Sequence, residues 1–412
     1  MRKTATYPWL IGGLAFLTVE HVSTANAEVL PQQTAAGHSR AKDIEIDPNG
    51  YLLFCLCMGR FGNQVEHFLG GMEFAKQINR TLVLPPFRTY SPQKNVDFTE
   101  WFQAAPIASY HRSIPSEVFM SDFAPVIWPP DERIGFCVDF PRGQGCKVKV
   151  GNPMKNFWDD LGVDFVRTEA FQINYQTPDA WPRTYNGKEY PVIALKGAPA
   201  GFPMKRHNLE LQRYLVFSDK IKHEAEDLLM KHFGAVTYDY VAIHLRNGRD
   251  WEGACPAIQG PSAFNFMASY QCHNWDFDFR FTFDMCYQQA DTIVDKVFRL
   301  RGNSTLGQLM CGQLSSSSAE VVTAKVKSLV DQHGFTRLLI ATDQRSYQHE
   351  IETALKRHNV KVVHPDPWLP VVDAYLLSHS KYFVGNCVSS FSAFVRRQRD
   401  THDLGSTDYF GL

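Results

Sequence analysis

The chain is expected to be an α/β protein built on parallel, doubly wound sheets, with one α/β unit near each end. Three observations carry that expectation. Near the start, the apolar run Tyr51 to Cys57 leads into a glycine turn, an amphipathic helix and the apolar stretch 81–84, which together read as a βαβ unit. From 319 onward, segments of strand and helix character alternate, the signature of a parallel sheet. Between these, "YVAIHLR" reads as a buried strand that ends in polar residues.

Taken in order, the elements support this reading. Arg2 and Lys3, the apolar run Tyr7 to Val19 and the small residues Ala25 and Ala27 form a secretory signal peptide over 1–27. Residues 28–46 are small and polar, a loose lead-in. Val65, Phe68, Leu69, Met72, Ala75 and Ile78 recur at helical spacing after the Gly59–Gly62 turn. Residues 87–240 are rich in proline and aromatic residues, as expected of insertions around a core. Within them "YPVIAL" reads as a strand, and the stretch from Ser218 to Gly234 as a helix with its cap and its stop. Residues 250–315 hold four cysteines, with a run of serines beginning at Ser315, and read as loops stapled by disulfides. Then follow helix "AEVVTAKVKSLVDQHG", strand "RLLIATD", helix "SYQHEIETALKRHN", strand "VKVV", helix "VVDAYLLSHS", strand "KYFVGN" and helix "SSFSAFVRRQRD".

Bulk composition narrows the class. The chain is 44% hydrophobic and 21% charged, which fits a globular protein with a sizeable core. A formal net charge of −1 offers no footing for nucleic acid or an anionic membrane. Nine cysteines suit an oxidising compartment, and the odd count leaves one over. Spacing suggests one pair, Cys137 with Cys146. No CxxC is present, which weakens a zinc reading. Asn79 and Asn303 begin glycosylation sequons.

Ligands of such sheets bind beyond the carboxyl ends of strands, so the chemistry is sought there. "GRFGN" has neither the P-loop nor the dinucleotide spacing, yet it places Arg60 and backbone N–H groups at a helix start, where anions bind. "HLR" puts His244 and Arg246 on one side of a strand end, and the arginine fork suits a phosphate. Ser389 and Ser390 open the last helix, and Asp343 and Asp373 stand at a strand end and near a helix start. In isolation each of these also fits a structural role: a plain turn, a satisfied core histidine, an arginine paired with a carboxylate such as Asp250, a helix cap. Asp276-Phe277-Asp278 has the form of a metal-bridging pair but lacks an apolar strand to hold it. Two arginines and several helix starts at carboxyl ends suit a diphosphate held without metal.

The segments "YLLFCLCMGRFGNQVEHFLG", "GNPMKNFWDD", "HLRNGRDWEGAC", "FMASYQC" and "VGNCVSSFSAFVRRQRD" together resemble the protein O-fucosyltransferases that act on EGF-like repeats, from about residue 47 to 400. The resemblance implies a GT-B fold: two Rossmann-like lobes facing across a cleft, 47–247 on the acceptor side, completed by 390–412, and 248–389 on the donor side. It implies an inverting transfer of fucose from GDP-fucose to a Ser or Thr hydroxyl of folded EGF-like repeats, in proteins such as Notch, with no cofactor and no tightly bound metal. The donor site would comprise Arg60, Phe61, Gly62, Asn63, His244, Leu245, Arg246, Asp373, Ser390 and Phe391, with Arg246 and Asn63 catalytic. Disulfides would join Cys55 with Cys57, Cys137 with Cys146, Cys255 with Cys286 and Cys272 with Cys387, leaving Cys311. The pair two residues apart requires a bend in the chain. The expected location is the endoplasmic reticulum lumen, although the chain ends "STDYFGL" where the family has a KDEL-like tetrapeptide. The alternatives are a non-catalytic lectin or chaperone for EGF-like repeats, or a fucosyltransferase for thrombospondin repeats or glycans.

Overall fold

The computed structural model describes residues 44–89, 93–138, 143, 145–171, 173–248, 319–386 and 389–410. The expected signal peptide, most of the expected lead-in, the segment 250–315 with Asn303, Asp250 and the Asp276–Asp278 pair, and Cys255, Cys272, Cys286, Cys311 and Cys387 lie outside the described residues.

Two sheets organise the chain. The first contains β1 (Tyr51–Phe54), β2 (Thr81–Leu84), β5 (Ser113–Pro115), β6 (Ile134–Val138), β7 (Arg167–Phe171) and β8 (Val192–Leu195), in the order β5-β2-β1-β8-β6-β7 and parallel throughout. A two-stranded antiparallel ribbon, β3 (Phe87–Arg88) with β4 (Asn95–Val96), stands beside it in sequence. The second contains β9 (Val241–Leu245), β10 (Arg337–Thr342), β11 (Lys361–Val363), β12 (Tyr382–Gly385) and β13 (Ser406–Tyr409), ordered β11-β10-β9-β12-β13 and also parallel. β1 and β9 are buried along their whole length, which their unbroken apolar runs require of strands covered on both faces.

Six longer helices matter for the site: α1 (Phe61–Gln77), α2 (Asp219–Phe233), α3 (Ala319–His333), α4 (Gln348–Ala354), α5 (Pro370–His379) and α6 (Ser390–His402). Ser218 caps α2 by accepting from the Ile221 N–H, as its sequence predicts. α6 packs on α1, on α5 and on the 3₁₀ segment Arg206–Tyr214, and so ties the parts of the chain together.

Three expectations change. β1 stops at Phe54 rather than running to Cys57, because Cys55 and Cys57 are joined with Cα atoms 5.1 Å apart. An extended chain would separate them by roughly 7 Å. Val241–Leu245, placed in the first lobe by the 47–247 boundary, is the central strand of the second sheet, paired with both β10 and β12. Ser406–Tyr409, expected to complete the first lobe within 390–412, pairs with β12 in the second sheet. Its polar sequence gave no strand signal, and hydrogen bonding to a neighbouring edge makes it a strand.

The strand orders locate two switch points. In the first sheet the order reverses between β1 and β8, and in the second between β9 and β12. Crevices open beyond the carboxyl ends of strands at such points. β1 leads there into Gly59–Asn63, β9 into Arg246, and β12 into Asn386 and the start of α6.

Candidate active site

The turn after β1 is a close contact between two helix starts. Gly59 has φ +68°, and a Cβ there would fall 2.2 Å from Nδ2 of Asn63. Arg60 is the N-cap of α1, and no acidic residue sits in the first turn, so the positive end of that helix is not offset by its own side chains. Gly62 lies directly against the first turn of α6: a Cβ would stand 2.6 Å from the Phe391 nitrogen and from Oγ of Ser390. Ser390 Oγ donates to Asn63 Oδ1 at 2.5 Å, joining the two turns. Gln64, one residue on and fully buried, donates from Nε2 to the carbonyls of Gly59 and Arg88 and accepts the Arg88 N–H at 2.8 Å. It anchors the turn to the β3 ribbon.

β9 delivers His244 to the same place. Its Nδ1 lies 2.7 Å from Ser392 Oγ, and its ring centroid is 4.8 Å from that of Phe391. Phe391 is also 5.9 Å from Phe61. The strand-end segments after β1, β9 and β12 therefore converge on the first turn of α6. Burial, with the Arg246 charge second, holds the His244 imidazole down to about 3, so it is neutral at physiological pH. Arg246 leaves the end of β9 in an ion pair with Asp343 at the end of β10. Asp343 Oδ1 in turn accepts the Asn247 N–H at 2.9 Å. Among the described residues the carboxylate that holds the arginine is that of Asp343, and Asp250 lies outside them.

Asp373 sits in the first turn of α5, which packs on α6. Its Oδ1 is enclosed and has no hydrogen-bond partner among the described residues. Burial, and then the charge of Asp366, raise this carboxyl well above the usual carboxylate range. An enclosed acceptor without a donor suits a ligand that brings N–H groups.

The family model for GDP-fucose protein O-fucosyltransferase matches residues 51–402, a stretch that holds every one of these segments. The chain belongs to this family. GDP-fucose protein O-fucosyltransferase 1 of Caenorhabditis elegans is 33% identical over 384 residues, 89% of this chain and 91% of that one. The crystal structure of POFUT1 in complex with GDP-fucose is 31% identical, with a TM-score of 0.72 over 89% of this chain and 99% of that one. The apo form of POFUT1 gives 31% and 0.73, over 90% and 100%. The chain is a glycosyltransferase of the GT-B fold.

Within this O-fucosyltransferase, the geometry sorts the residues expected from sequence. Gly62, Asn63, His244, Ser390 and Phe391 come together, and Phe61 stands behind them. Phe61 is 3% exposed in an aromatic cluster with Trp101 and Phe394, and Leu245 is 3% exposed in the core of the second sheet. Only their backbones are left to meet a ligand. Sequence reading missed Gln64 and Ser392, whose roles depend on partners far away in the chain. Cys55–Cys57 and Cys137–Cys146 are paired as the resemblance implied. Asn79 is exposed, in a left-handed turn with φ 56°. Among the described residues no group of three or more His, Cys, Asp or Glu could hold a metal ion, and no helix is long and apolar enough to cross a membrane.

Proposed function

We propose that this chain transfers fucose from GDP-fucose, with inversion, to a Ser or Thr hydroxyl of folded EGF-like repeats in secreted and cell-surface proteins such as Notch, in the endoplasmic reticulum lumen. The observation that carries the reading is the convergence of the GRFGN turn, the HLR strand end and the SSF helix start on one helix N-terminus. The GDP-fucose complex of a relative with the same fold supports the donor.

Breaking the fucose–phosphate bond builds negative charge on the leaving diphosphate, which preorganised donors stabilise best. In this account no tightly bound metal or cofactor takes part. Arg246 shares its guanidinium between Asp343 and the phosphate, and the N–H groups at the starts of α1 and α6, with Arg60, supply the rest. Asp373 accepts from the guanine edge. Asn63 has its Oδ1 engaged by Ser390, which leaves Nδ2 as its working group. An N–H donor orients the acceptor oxygen and removes no proton. The glycosidic bond to phosphate therefore breaks ahead of proton loss, through an oxocarbenium-like transition state.

The test is an acceptor panel with GDP-fucose: a folded EGF-like repeat, the same repeat reduced and unfolded, a thrombospondin repeat, and no acceptor. The reading predicts fucose on the folded EGF-like repeat with release of GDP. Transfer only to the thrombospondin repeat would move the acceptor class. Binding of the EGF-like repeat without any release of GDP would point to a lectin or chaperone.

A further inference from the structure

Ser392 lies at the junction of the three converging segments and has a chemistry that none of them states. It is fully buried. Its Oγ accepts the Asn386 N–H at 2.9 Å and lies 2.7 Å from Nδ1 of His244. Ser389 fixes the backbone at this point, since its Oγ caps α6 by accepting the Ser392 N–H at 3.3 Å. The hydroxyl oxygen is thus already an acceptor, and its own hydrogen needs an acceptor in turn. Among the described residues the only one in reach is Nδ1 of His244. Were Nδ1 protonated, two N–H groups would point at one oxygen and the hydroxyl hydrogen would be stranded at full burial, which is costly.

We propose that Ser392 is a positioning residue: by donating to Nδ1 it holds His244 as the Nε2–H tautomer, so that the imidazole presents an N–H donor at the carboxyl end of β9. Nε2 has no hydrogen-bond partner among the described residues, and Phe391 packs against the ring and keeps it from rotating. A donor there is what a leaving phosphate or a sugar hydroxyl would need. That last step rests on the proposed fucosyl transfer, whereas the tautomer does not.

The experiment uses the full chain labelled with ¹⁵N-histidine, with the His244 signals identified by their loss in His244→Gln. Long-range ¹H–¹⁵N correlation spectra distinguish a bare Nδ1 from a protonated one. The wild type and Ser392→Thr, which keeps the hydroxyl, are expected to show a bare Nδ1 and a protonated Nε2. Ser392→Val, which keeps the shape of threonine without the donor, is expected to show a mixture or the reverse. In donor kinetics Ser392→Val should lower kcat about tenfold with little change in KM, and Ser392→Thr should restore it. A protonated Nδ1 in the wild type, or an unchanged tautomer in Ser392→Val, overturns the proposal. A wild type with this tautomer that never releases GDP would instead end the reading of fucosyl transfer and leave the Ser392 assignment in place.

Discussion

The two halves of α6 face opposite demands. Its first turn carries hydroxyls and N–H groups that meet α1 and His244 through short, single hydrogen bonds. Its later turns carry charge into the interior. Arg397 is 5% exposed and pairs with Glu66 of α1 at 2.7 Å, while its Nε donates to Gln212 Oε1. Gln212 donates to the Phe394 carbonyl and to Gln398, and Gln398 donates to the Leu215 carbonyl. Glu66 also accepts the Met204 N–H from the 200s loop. Arg399, 1% exposed, donates to the carbonyls of Ser378 in the last turn of α5, of Ser380 just after it and of Ser406 at the start of β13. Burial lowers that guanidinium to about 10, and it remains charged. The difference teaches how a site can be both open and placed. Buried charges are costly unless paired, and here their partners fix where α1, α5 and α6 sit. The first turns of α1 and α6, joined through Ser390 and Asn63, can then hold their remaining donors in position for a ligand.

Substitutions at the two ends should therefore fail differently. The largest effect is expected at the site end. Arg246→Ala should lower transfer by about 10³-fold or more while the thermal midpoint stays close to that of wild type, by analogy with arginines that stabilise a departing phosphate. Steady-state rates near wild type would remove Arg246 from the mechanism. At the other end, Glu66→Ala leaves Arg397 without its carboxylate at nearly complete burial. It should cost about 3–5 kcal/mol in urea unfolding, while molecules that remain folded turn over normally. A large loss of turnover without loss of stability would erase the distinction between the two ends.

A smaller effect concerns His67 of α1, one turn beyond Asn63. It is 8% exposed, its Nδ1 has no partner among the described residues, and burial lowers its pKa from 6.5 to about 4. The unfolded chain takes up this proton first as pH falls. Stability from this group is therefore complete above about pH 6.5 and is lost as pH falls toward 4. The loss between pH 7 and pH 5 should be about 2 kcal/mol. Urea midpoints at those two pH values should converge in His67→Phe, and a slope as steep as that of wild type would show that other groups carry it.

The parts of the site written in contiguous residues were legible in sequence. A strand end, a glycine turn and a helix start occupy Phe54 to Asn63 in one stretch, and the His244–Arg246 alternation follows from strand period. The Ser389 cap was legible for the same reason. What escaped depends on partners far away. Nothing local in "RRQRD" marks Arg397 and Arg399 as buried, since Glu66 and Gln212 lie more than a hundred residues away from Arg397. Ser392 reads as one more serine in a helix until β9 brings His244 against it. The placement of β9 itself was missed because an apolar run identifies a strand and says nothing about which neighbours it will pair with.

The central claim is that guanidinium groups and helix N-termini hold the donor diphosphate, with no divalent ion. Calorimetric titration of GDP into the full chain in EDTA tests it most directly. The account predicts binding as tight as in buffer with added Mn²⁺. Binding that disappears in EDTA and returns only when the cation is restored would contradict it.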